Sequence, residues 1–143
     1  MEGAATFAAY GHALAALALT ALVAMLLGPW AGAAKSAAGL APGQEPPADY
    51  SNKVYRIHRA AANAAEFIGV FAAVVAAAVL AGADPFWTNV FASITFVARL
   101  LHPIIHVSGI GAANMGPRTF AYVAGWACCV ALAIMAVVAA VTA

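Results

Sequence analysis

Two short stretches carry nearly all the chemistry this chain can offer. The first is Arg56-Ile-His-Arg59-Ala-Ala-Ala-Asn63-Ala-Ala-Glu66, which opens an otherwise apolar run. Arg59, Asn63 and Glu66 are spaced i, i+4, i+7 and so share one helical face. The second is Arg99-Leu-Leu-His102-Pro103-Ile-Ile-His106, where Arg99, His102 and His106 fall at i, i+3, i+7, again one face. Arg118 follows at the start of the last apolar segment. Charges and amides in such surroundings cost a few kcal/mol each when they face lipid, so they must face protein, ligand or water. Three arginines (Arg59, Arg99, Arg118) against the single acid Glu66 leave surplus positive charge turned inward. The guanidinium fork grips carboxylates with two parallel hydrogen bonds, so the surplus points to an anionic guest.

Plainer roles compete for the same residues. Glu66 and Asn63 suit a purely structural pairing with Arg99 or Arg59, and His102 and His106 suit helix-to-helix hydrogen bonds. Arg118 also fits as a basic residue at a helix start. Two histidines and Glu66 could hold a metal, but Arg59 and Arg99 beside them would repel a cation, so no metal is expected. His12 is a lone histidine with no partner in the pattern. Cys128 and Cys129 are adjacent, which on a helix turns their side chains about 100° apart; they read as small apolar filler, neither a bridge nor a metal pair. Pro103 is expected to kink its helix and free a carbonyl.

The elements that position these groups follow from composition. Of 143 residues, 66% are hydrophobic and only 8% charged, where soluble domains carry about 25% charged residues. A protein this small has no core large enough to hide so much apolar surface. The class is therefore an all-α polytopic membrane protein. Apolar runs at about 4–33, 52–80, 86–110 and 117–141 predict four transmembrane helices in one up-down bundle. Met1-Glu2 has no basic n-region and the first run is long for a signal peptide, so that span is expected to remain in the chain. Gly39, Pro42, Gly43, Pro46 and Pro47 break the first loop, with Tyr50 or Ser51 opening the second helix and Ser51 as its cap. Asp84-Pro85 makes a tight turn, and Gly109, Gly111, Asn114, Gly116 and Pro117 a short connection. Tyr10 and Trp30 are expected at the two membrane interfaces. Lys35, Lys53, Arg56 and Arg59 flank the first loop and Arg118 the third, so the 35–52 loop is placed in the cytoplasm and both termini outside. The net charge of +1, with six scattered Lys and Arg, excludes a nucleic-acid surface.

The pattern Arg59-x-x-x-Asn63-x-x-Glu66 resembles the signature of the MAPEG family, the membrane-associated proteins of eicosanoid and glutathione metabolism. Arg99 with His102, and Pro117-Arg118 at the start of the last span, resemble that family's third- and fourth-helix patterns. Phe67 stands where some members have tyrosine, and His106 where tyrosine is usual, which exchanges a phenol for a titratable imidazole. The resemblance implies a four-helix bundle assembled as a homotrimer, with glutathione as co-substrate between subunits. It implies that Arg59, Asn63, Glu66 and His102 bind the tripeptide, that Arg99 and His106 complete the cleft from the adjoining chain, and that Arg118 stabilises its thiolate. The implied activity is a glutathione-dependent transferase or peroxidase acting on a lipophilic small molecule that enters from the bilayer. The implied location is a bacterial inner membrane. Two other readings stand beside it: a non-catalytic MAPEG-like subunit or lipid-binding structural protein, and a small proton-coupled transporter using Glu66, His102 and His106.

Overall fold

The computed structural model describes residues 7–110 and 116–142. Among them four helices are each long and apolar enough to cross a membrane: α1 Gly11–Ala37, α2 Lys53–Leu80, α3 Pro85–Ser108 and α4 Pro117–Thr142. The expected start of the first span, and Gly111 and Asn114 of the last connection, lie outside the described residues.

Local chemistry sets the helix ends. α1 runs on to Ala37 because Ala33, Ala34 and Ala37 are strong helix formers; it then closes on Gly39 (φ 77°), with the Leu40 N–H donating to the Lys35 carbonyl at 3.1 Å. α2 is capped by Asn52, whose Oδ1 accepts from the Val54 N–H at 2.8 Å, and not by Ser51. Ser51 is already engaged: its hydroxyl donates to Asp49 Oδ2 at 2.6 Å and its N–H to Oδ1 at 2.8 Å. Asp84 caps α3 through the Trp87 N–H, with Pro85 in the first turn where a missing N–H costs nothing. α3 continues through Pro103 and stops at Gly109, in the left-handed region at φ 76°.

Two hydrogen bonds from Ser51, the hydroxyl's first, hold the Asp49 carboxyl below the usual carboxylate range. A carboxylate with a lowered folded pKa contributes stability above its unfolded value near pH 4, and that contribution fades as pH falls through the folded value. Pepsin cleavage in the 41–52 loop is therefore expected to accelerate more steeply below about pH 4 in the wild type than in Asp49→Asn. Equal acid dependence in the two proteins would count against this turn.

α2 and α3 form the centre of the bundle, each packing on the other and on both remaining helices, with α1 and α4 on opposite sides. The core is built from Phe67, Phe71 and Val75 of α2, Ala92 of α3, Cys129 and Leu132 of α4, and Ala13 and Ala16 of α1. Both cysteines are free thiols. Thr88 and Thr95, fully buried, donate their hydroxyls to the carbonyls four residues back, so neither asks for a partner on another helix. The exterior is apolar as well: Met25 is 70% exposed and Phe120 68%. Water would not tolerate such a surface, and lipid would.

Tyr10 is not an interfacial anchor. It is buried, and its hydroxyl donates to the Ala83 carbonyl in the α2–α3 turn. Asn89 makes a second tie at the same end, donating from Nδ2 to the Ala9 carbonyl at 2.8 Å while its Oδ1 accepts from the Ala13 N–H at 2.9 Å. Both fix the start of α1 against α3. Trp30 is exposed.

Candidate functional site

At the other end of the bundle the two polar stripes meet. Arg99, on α3, is buried and reaches across to α2, where Nη2 donates to the Asn63 carbonyl at 2.9 Å and to Asn63 Oδ1 at 2.8 Å. Its guanidinium lies 4.0 Å above the Phe67 ring. Gly125 of α4 makes room for it, because a Cβ there would sit 3.1 Å from Arg99 Cδ. Gly125→Leu is therefore expected to push Arg99 off Asn63 and to cost about 1–3 kcal/mol of stability, read as a lower thermal midpoint in detergent. An unchanged midpoint would show that α4 does not form this socket.

His102 and His106 lie one turn apart with ring centroids at 5.4 Å, and both are buried. His102 faces Tyr122 of α4 at 5.9 Å, and His106 faces Tyr50 of the first loop at 5.7 Å. Arg118, in the first turn of α4, places its guanidinium 4.7 Å from the Tyr50 ring centre. A cleft of about 160 Å³ opens among these groups. Arg59 and Asn63 line it from α2, His102 and His106 from α3, Arg118 and Tyr122 from α4, with Tyr50 over the top. Among the described residues no carboxylate lines it.

Four buried nitrogens have no hydrogen-bond partner among the described residues: Arg99 Nη1, both ring nitrogens of His106, and Trp126 Nε1. Most buried polar atoms in folded proteins are paired, so each such atom asks for an explanation. The helix-to-helix hydrogen bonds considered for His106 are therefore absent among the described residues. His106 faces the cleft with two open positions, one of which is an acceptor in the neutral ring.

Glu66 stands apart. It is exposed on the outer face of α2 and makes no salt bridge to Arg59 or Arg99 within the chain among the described residues. The carboxylate described nearest a basic side chain is instead that of Glu45, 4.0 Å from His58 Nε2. The structure thus brings together six of the seven sequence-derived residues: Arg59, Asn63, His102, His106 and Arg118 at the cleft, and Arg99 behind Asn63. It adds Tyr50 and Tyr122, for which tyrosines in a loop and a greasy helix gave no spacing signal.

A further residue that sequence spacing undervalued is Arg56. Its Nη1 donates to the carbonyls of Tyr50 at 2.7 Å and Ser51 at 2.8 Å, and its Nε donates to the Val107 carbonyl at 3.2 Å. It thereby satisfies a carbonyl in the last turn of α3 and ties the first loop to it. Gly109 allows the close approach, since a Cβ there would lie 3.2 Å from Arg56 Cζ.

A four-helix transmembrane bundle with a cationic, histidine-bearing cleft between α2, α3 and α4 defines the class. The chain belongs to the MAPEG family, whose model matches residues 13–138 and so covers nearly all of it. That family includes glutathione transferases and peroxidases as well as non-catalytic members. Among curated proteins and among solved structures nothing matches the chain.

Proposed function

We propose that this protein is a glutathione-dependent membrane enzyme that conjugates or reduces lipophilic electrophiles. The observation that carries the proposal is the pair of buried groups without a hydrogen-bond partner among the described residues, His106 and Arg99 Nη1, beside a cleft that holds Arg59 and Arg118 and, among those residues, no acid. Glutathione supplies what these groups lack: carboxylates for the guanidinium forks and amide carbonyls for donors. Its thiol reacts as the thiolate, and a fixed cation nearby lowers the thiol pKa. Arg118 has that role. In conjugation, the thiolate sulfur attacks an electrophilic carbon, the C–S bond forms, and the leaving group departs or the new carbanion takes a proton. In the reductive version, two thiols become a disulfide as a hydroperoxide becomes an alcohol and water.

The ligand is expected to bind between chains of a homotrimer. Within one chain this cleft holds about 160 Å³, below the roughly 300 Å³ at which small-molecule pockets begin. Glu66, exposed on a single chain, then has a place facing a neighbour, where it meets the ligand's amino group. The basic end of the bundle faces the cytoplasm by the bias of Lys and Arg, in the inner membrane of a bacterium.

Calorimetric titration of the detergent-solubilised protein with glutathione and with its diethyl ester tests the reading. Saturable binding of glutathione, weakened at least tenfold by esterification, is the expected result. Equal affinity for both, or no binding of either, would remove the anionic ligand from the account.

A further inference from the structure

The first loop does more than join α1 to α2. Its end beside the cleft is held by Arg56, and two weaker features lie along it. Pro46 is buried while the residues around it are exposed. Glu45 approaches His58 at 4.0 Å. Arg56 holds the backbone of Tyr50 and Ser51 with one nitrogen and the end of α3 with another. The result is a fixed place for the Tyr50 ring, which touches the edge of Tyr55 at 5.1 Å, leans on His106 at 5.7 Å and lies under the Arg118 guanidinium at 4.7 Å.

We propose that Tyr50 is a positioning residue of this site: its ring face orients the Arg118 guanidinium at the mouth of the cleft, and Arg56 fixes the ring. A guanidinium on a helix start has several rotamers, and only some aim it at a bound thiolate. The ring face selects among them through the attraction between a cation and the π-system. Tyr50 needs no bond to the reacting atoms for this. Arg56 suits the clamp because its planar fork reaches Tyr50 and Ser51 on one side and Val107 on the other; a lysine ammonium has no such spread.

The consequence for thiolate chemistry rests on the function proposed above, but the orientation of Arg118 does not, so the two are separable. Arg118 is labelled with phenylglyoxal in the full-length protein without glutathione, and the modified peptide is quantified by mass spectrometry. Tyr50→Ala and Tyr50→Leu are expected to speed labelling of Arg118 by about two- to fivefold, the factor a surface cation–π contact supports. Tyr50→Phe is expected to match the wild type, and Arg56→Lys to fall between. Because leucine keeps apolar bulk, wild-type labelling in Tyr50→Leu would overturn the role of the ring face even if Tyr50→Ala folds poorly. In the same proteins the thiolate absorbance of added glutathione at neutral pH is expected to drop about two- to fivefold in Tyr50→Leu and to be restored in Tyr50→Phe. If the wild type forms no thiolate, the proposed activity fails while the labelling still decides the role of Tyr50. If the wild type forms thiolate and neither readout moves in Tyr50→Leu, the positioning role fails and the activity stands.

Discussion

Arg99→Met is expected to leave the bundle folded and to weaken glutathione binding by about 10- to 150-fold, the factor carried by one hydrogen bond to a charged group. Arg99 sits behind Asn63 with one nitrogen bonded and the other open. Were it there only to join α2 to α3, an apolar residue of similar length would serve nearly as well, since it leaves no charge buried and the partner it abandons, Asn63, is neutral. Methionine keeps the contact with Phe67 and fits the Gly125 socket. It leaves Asn63 Oδ1 without its donor, which costs about 1–3 kcal/mol and offsets part of the gain. The thermal midpoint should therefore move little while the affinity for glutathione falls. A large loss of stability with unchanged affinity would make Arg99 a strut and nothing more.

Arg118→Ala is expected to show the opposite division. The guanidinium lines the cleft from the first turn of α4, where, on the proposed function, it would meet the charge that develops on sulfur. Loss of one preorganised stabilising group of this kind reduces kcat by about 10²- to 10³-fold. Binding should change by less than about fivefold, since the residue is only half-buried and a solvent-screened ion pair is worth about 1 kcal/mol or less. Stopped-flow turnover with a chlorodinitrobenzene-type electrophile, with glutathione titrated in parallel, separates the two quantities. Arg118→Lys should recover part of the rate, because a point charge still favours the thiolate. Turnover unchanged in Arg118→Ala would take the residue out of the chemistry.

Spacing made much of this site legible because helices convert sequence intervals into faces. Arg59 and Asn63 on one helix, and Arg99, His102 and His106 on the next, needed only the α-helical period to be placed on two facing stripes. The four spans followed from apolar length alone. What spacing could not give was partnership. Glu66 shares the period of Arg59 and Asn63 but lies on the edge of that face, and a single chain leaves it exposed. Tyr10 looked like an interfacial tyrosine because its burial depends on Ala83, a residue 73 positions away. Tyr50 and Arg56 belong to a loop and its clamp, where no period operates and only the fold shows which carbonyls stand open. The cap of α2 moved from Ser51 to Asn52 because Asp49 captured the serine, a local competition between two equally suitable residues.

A negatively charged guest held between inward-facing cations is what the proposed function requires. The most direct measurement is a density map of the full-length protein in lipid nanodiscs with millimolar glutathione. It should show an elongated ligand touching Arg59 and His106 in each chain, with its sulfur within reach of Arg118 and a neighbouring chain closing the cleft. A map at the same concentration with the cleft free of ligand density, or with glutathione bound elsewhere on the bundle, would contradict it.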